Sequence, residues 1–120
     1  MLGEGITQGR PVVFEPTFHN FAGEVCGGVQ VHVTDPGIFE STVTYTAAIA
    51  AVRSLWPDQF AWKEPPYEYE TEKLPIDILA GGTVWRQQVE AGLSPWQMKT
   101  FWMEQLRAFA EMTVEFRHYE

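Results

Sequence analysis

Three side chains capable of chemistry fall in one short stretch, FHNFAGEVCGGVQVH (18–32): His19, Cys26 and His32. An imidazole next to a thiol lowers the thiol's pKa and can make a nucleophile–base pair. The spacing H-x6-C-x5-H lacks the C-x-x-C and H-x3-5-H pairs that hold zinc, so no metal site is expected. A lone cysteine beside two glycines reads more simply as a small residue in a tight corner. A third chemistry comes from alternation. In residues 26–34, Val29, Val31 and Val33 point one way, while Cys26, Gly28, Gln30, His32 and Thr34 point the other. A polar strand face with imidazoles can hydrogen-bond a sugar or an acylated amine, and it can equally be the solvated side of a two-layer domain.

Glycoside hydrolysis needs two carboxylates flanking one bond. Glu15, Glu24 and Asp35 lie in separate places, and the glutamates of EPPYEYETEK (64–73) read as a solvated loop. No acid–nucleophile pair can be named from the residues alone, and no cofactor is expected.

The elements that must position these groups follow from periodicity. Residues 1–11 are Gly-rich and read as a flexible entry. PVVFEPTFH (11–19) reads as a strand, with Pro16 marking an edge or bulge. Pairing it antiparallel with 26–34 would put Glu15, Thr17 and His19 on the face of Gln30, His32 and Thr34. A helix is expected over 41–55, with Tyr45, Ala48, Ile49, Val52 and Leu55 as its apolar stripe. FAWK (60–63) is a short strand candidate, PIDILAGG a single helical turn, and 83–91 a helix closed by Gly92. Ser94, Pro95 and Gln97 form a capping box opening a last helix, whose stripe is Met98, Phe101, Trp102, Leu106 and Phe109. The order implies an α+β fold: a small, largely antiparallel sheet packed on three helices as a single two-layer domain spanning 12–120.

Composition bounds the partners. The chain has 120 residues, with 45% hydrophobic and 14% aromatic residues, which argues for a core and against disorder. A net charge of −8 argues against nucleic acid and against an anionic membrane surface. The longest apolar run, AAIAAV, is far too short to span a bilayer. The N-terminus lacks the basic start and apolar core of a signal peptide. The chain is therefore expected to be soluble, and any targeting segment would belong to a longer parent.

The stretch FEPTFHNFAGEVCGGVQVHVTD resembles a signature, F-x-P-x-F…G-x-x-C-x-G-V-x-x-x-V-T-D, in the C-terminal part of a bacterial family catalogued as DUF1343. That family contains the exo-β-N-acetylmuramidases of peptidoglycan recycling. Phe14, Pro16, Phe18, Gly23, Cys26, Gly28, Val29, Val33, Thr34 and Asp35 match in order. Downstream, LWPDQFAWK is similar to L-Y-P-x-x-F-x-W with Trp56 replacing tyrosine. IDILAGG is similar to I-D-x-L-x-G-T, and VEAGLSPWQMKTFWMEQLRAF to the family's closing helix. The resemblance covers residues 12–116.

It implies an active site in a cleft between this domain and an N-terminal Rossmann-like domain found in the much longer full-length relatives. The chain is then one wall of a muramoyl-sugar cleft, inactive by itself. His19, Glu24, Cys26, Gln30 and His32 are its expected substrate-binding residues. Two alternatives compete. One is a non-catalytic module that self-associates, as a homodimer, through apolar surface left uncovered; the other is a thiol enzyme using Cys26.

Overall fold

A computed structural model describes residues 7–119. Part of the expected flexible entry, residues 1–6, lies outside the described residues. The chain divides into two compact units, one ending at Ser41 and the other beginning at Thr42. The class is α+β: one antiparallel strand pair and four helices.

The first unit is a β-hairpin. Strand β1 (Thr7–Phe14) pairs antiparallel with β2 (Cys26–Val33), in a register that sets Gln8 opposite His32, Arg10 opposite Gln30, Val12 opposite Gly28 and Phe14 opposite Cys26. Strand β2 falls where its alternation predicts. Strand β1 does not: it starts within the expected flexible entry and ends before Glu15, Thr17 and His19. The reason is local. His19 and Phe21 take left-handed backbone angles, φ 61° and 59°, which an extended strand cannot accommodate. The N–H of Gly23 donates to the carbonyl of Pro16 at 2.9 Å, and that of Glu24 to Phe21 at 3.0 Å, closing residues 16–24 into a loop. Pro11 sits inside β1 because each strand of a two-stranded ribbon has a free edge, where a missing N–H costs no ladder bond. The valine face expected to be covered is largely open: Val29 and Val33 are exposed and Val31 is half-buried.

The second unit is helical. Helix α1 (Ser41–Leu55) has the predicted bounds but not the predicted face. Tyr45, Val52 and Leu55 are exposed, while Val43, Thr44 and Thr46 are buried. The inward side follows Val43, Thr46, Ala47 and Ala50, a 3–4–7 spacing that includes a polar residue. A hydrophobicity count passes over that threonine. Thr46 goes inward because its Oγ1 accepts the Trp85 indole N–H at 3.1 Å, so neither polar group is left unpaired.

Helix α2 (Pro75–Leu79) is the expected single turn, with proline at its first position. Helix α3 (Val84–Glu90) stops at Gly92, whose φ of 78° is cheap only for glycine. The Gly92 N–H reaches Val89 and the Leu93 N–H reaches Gln88, the paired bonds of a Schellman cap. Helix α4 (Pro95–Met112) opens on the predicted capping box: Ser94 Oγ accepts from the Gln97 N–H at 3.2 Å, and Gln97 Oε1 from the Ser94 N–H at 2.9 Å. A 3₁₀ turn (Val114–Phe116) follows.

Residues 60–63 are not a strand. Their aromatic rings bind them to α3 instead: Phe60 and Trp62 meet edge to face at 4.8 Å, Trp62 and Trp85 at 6.0 Å, and the Trp62 indole donates to Glu90 at 2.8 Å. Arg86 grips Asp77 through two parallel bonds of 2.8 and 3.0 Å, tying α3 to α2. Asp77 holds the guanidinium's pKa above its ordinary value. Met98, fully enclosed, and Val89 form the centre of this small core.

Candidate functional site

The hairpin register decides which side chains share a surface. Directly opposed residues of an antiparallel pair project from the same face, with Cβ atoms about 4.5–5.5 Å apart. One face therefore carries Gln8, Arg10, Val12 and Phe14 from β1, and Cys26, Gly28, Gln30 and His32 from β2. This face has two halves. Toward the loop it is apolar, with the Phe14 ring lying over Gly28: a Cβ on Gly28 would come 3.0 Å from Phe14 Cε1. Toward the strand ends it is polar, and a shallow recess of about 390 Å³ is lined by Gln8, Gly9, Arg10 and His32.

Of the expected site residues, Cys26, Gln30 and His32 do share this face. His19 and Glu24 lie in the loop, where the His19 ring packs edge-on against Phe18 at 5.0 Å and Glu24 is exposed. Glu15 and Thr17 leave the face altogether. The places opposite Gln30 and His32 are taken by Arg10 and Gln8. A signal for both was present: Gln8, Arg10, Val12 and Phe14 alternate in step, but the glycines around them suggested a frayed start.

No imidazole of the strand lies beside the thiol. Cys26 Sγ donates to the carbonyl of Glu24 at 3.6 Å. His32 is six residues farther along β2, roughly 20 Å at strand rise. Cys26 is half-buried and is the first residue of β2.

Some of the described carboxylates are engaged in structure. Asp35 Oδ1 accepts the Gly37 N–H at 2.9 Å. Glu70 Oε1 accepts the N–H groups of Glu72 and Lys73, which hold its carboxyl below the ordinary glutamate range. Residues 64–73 form a largely exposed loop that carries a bridge between Tyr67 and Glu70. Among the described residues, no three His, Cys, Asp or Glu side chains gather as a metal site. No described helix is long and apolar enough to cross a membrane.

The helical unit has a larger opening, about 720 Å³, lined among others by Tyr45, Ile49, Leu79, Trp85, Phe101 and Phe109. Among the described residues, no carboxylate or imidazole lines it. It can take apolar surface, but it offers no carboxyl pair for cleaving a glycosidic bond.

The family model described as exo-β-N-acetylmuramidase NamZ, C-terminal, matches residues 4–119. The chain belongs to that family. It is also 28% identical over 110 residues to the peptidoglycan β-N-acetylmuramidase NamZ of Bacillus subtilis (strain 168), an alignment covering 92% of this chain and 25% of that protein. The chain thus spans about a quarter of that relative's length. No solved structure matches. Within the NamZ C-terminal family, the corner Cys26–Gly28 and the strand after it are part of the matched region, together with β1 and all four described helices.

Proposed function

We propose that this chain is the substrate-cleft domain of an exo-acting N-acetylmuramidase and holds a muramoyl sugar on the mixed face of its hairpin. The observation that carries this reading is the family match across residues 4–119. The face itself is of a kind that suits a sugar. Phe14 offers an exposed ring to an apolar sugar surface, and Gln30 and His32 offer hydrogen bonds to its hydroxyl or lactyl groups. Cys26 shapes the corner, while His19 and Glu24 reach the sugar from the loop.

The catalytic carboxylates and the opposite wall come from the N-terminal Rossmann-like part of a full-length protein, so this chain does not hydrolyse the bond alone. Two measurements test the reading. Amide shifts of the 15N-labelled chain, titrated with N-acetylmuramic acid and with its disaccharide with N-acetylglucosamine, should saturate on residues 8–14 and 19–34. Their absence at millimolar ligand removes the sugar site. A chromogenic N-acetylmuramide should stay uncleaved, and turnover above background would show a complete active site in this chain.

A second reading, a self-associating module, is favoured by the open apolar recess of the helical unit, where Leu79, Leu106 and Phe109 are more than half exposed. Light scattering at high concentration decides it: a clean monomer rejects self-association.

A further inference from the structure

We infer that Arg10, flanked by Gln8, Gln30 and His32, is an anchor for a carboxylate, and that it selects the lactyl-bearing muramoyl sugar over its lactyl-free counterpart. The inference rests on the sugar-cleft reading and adds to it a residue and a chemical group.

Four observations support it. Arg10 is the sole Lys or Arg among the first 41 residues, in a chain whose 16 acidic side chains outnumber its 8 basic ones. A lone guanidinium in such a chain has acidic partners available, yet among the described residues Arg10 makes no ion pair or hydrogen bond; the salt bridges there are those of Arg86. The register places three further polar side chains around it: Gln30 directly opposite, and Gln8 and His32 as the neighbouring pair on the same face. None of these three side chains has a hydrogen-bond partner among the described residues either. Diagonal neighbours lie about 7–8 Å apart across a sheet, a gap that one carboxylate can bridge. Finally, Gln8, Arg10 and His32, with Gly9, line a recess of about 390 Å³, and Gln30 stands opposite Arg10 on the same face.

The chemistry is specific. A guanidinium presents two parallel N–H groups that match the two oxygens of a carboxylate, and charge-assisted bonds of this type outweigh neutral ones. The amides of Gln8 and Gln30 and an imidazole N–H of His32 add donors that the carboxylate can accept. A sugar without the lactyl ether has no anion to offer here. It keeps only the hydroxyl and acetamido contacts.

The test uses the 120-residue chain and three probes: N-acetylmuramic acid, its methyl ester and N-acetylglucosamine, each followed by amide shifts of residues 8–10 and 28–32. The acid should bind about tenfold tighter than the other two, the difference of one charge-assisted bond. Arg10→Gln should remove that preference while leaving the ester and N-acetylglucosamine unchanged. Arg10→Lys, which keeps the charge and loses the fork, should retain part of it. Three probes binding alike, or a preference that survives Arg10→Gln, overturns the anchor and leaves the sugar face standing. If no probe shifts these residues, the sugar face falls as well.

Discussion

The hairpin and the helical unit solve opposite problems. Among the described residues up to Ser41 no side chain is buried, and the polar side chains of Gln8, Arg10, Gln30 and His32 find no partner among those residues. From Thr42 onward the polar groups that face inward are matched: the Trp85 indole with Thr46, Asp77 with Arg86, Trp62 with Glu90. A two-stranded ribbon cannot build a core from two rows of side chains. What it can do is present a row of donors at fixed spacing. Helices with a closed polar inventory supply stability, and a ribbon with an open one leaves its donors exposed.

The sharpest way to break this contrast is at Met98, which has no exposed surface. Met98→Ala removes the centre of the helical core and should cost about 2–5 kcal/mol, read as a drop in thermal midpoint by circular dichroism. A change within error would mean that the helical unit is not where stability resides. Next in size is Thr46→Val, which keeps the side chain's shape but strands the Trp85 N–H. Urea unfolding should show a loss of about 1–3 kcal/mol, partly recovered when Trp85→Phe removes the donor too.

The hairpin should respond far less. Gly28→Ala pushes a methyl against the half-exposed Phe14 ring, which can swing outward. The expected cost is about 1 kcal/mol or less, with the change confined to the shifts of Phe14, Cys26 and their neighbours. A larger loss would make the Phe14–Gly28 contact part of the fold's support as well as its surface.

The smallest effect sharpens the helical side. Glu70 has its folded pKa lowered first by the Glu72 N–H and then by the Lys73 N–H. The unfolded chain therefore binds this proton more readily than the folded one. Its contribution is complete above the unfolded-chain pKa and is lost as pH falls through the folded value. Titration of the Glu70 carboxyl by NMR should give a midpoint below that of the same residue in urea, and Glu70→Gln should remove this part of the acid dependence.

Much of this architecture is written locally. Ser94, Pro95 and Gln97 specify the start of α4, and Gly92 the end of α3, because capping uses atoms within three or four residues. Strand β2 is equally local, since strict alternation of valine with polar residues has one extended solution. Three features escape a local reading. The inward face of α1 depends on an indole 39 residues away. Residues 60–63 have strand-like composition, but indole and phenyl contacts with each other and with α3 hold them where no ladder does. Strand β1 is displaced because the left-handed turn at His19 and Phe21 consumes residues that alternation assigns to the strand.

The candidate site divides along the same line. The sequence by itself determined the family, the polar side of β2, and hence Gln30 and His32 as neighbours on one surface. All of these depend on residue identity and short-range periodicity. Only the tertiary structure decided what stands opposite them. A cross-strand pair is set by the length and geometry of the intervening loop. A one-residue slip would have turned the opposing strand over, and the observed register brings in Arg10 and Gln8 where alternation predicts Glu15 and Thr17. A guanidinium thereby replaces a carboxylate on the face of Gln30, and with it the sign of the charge on that face changes.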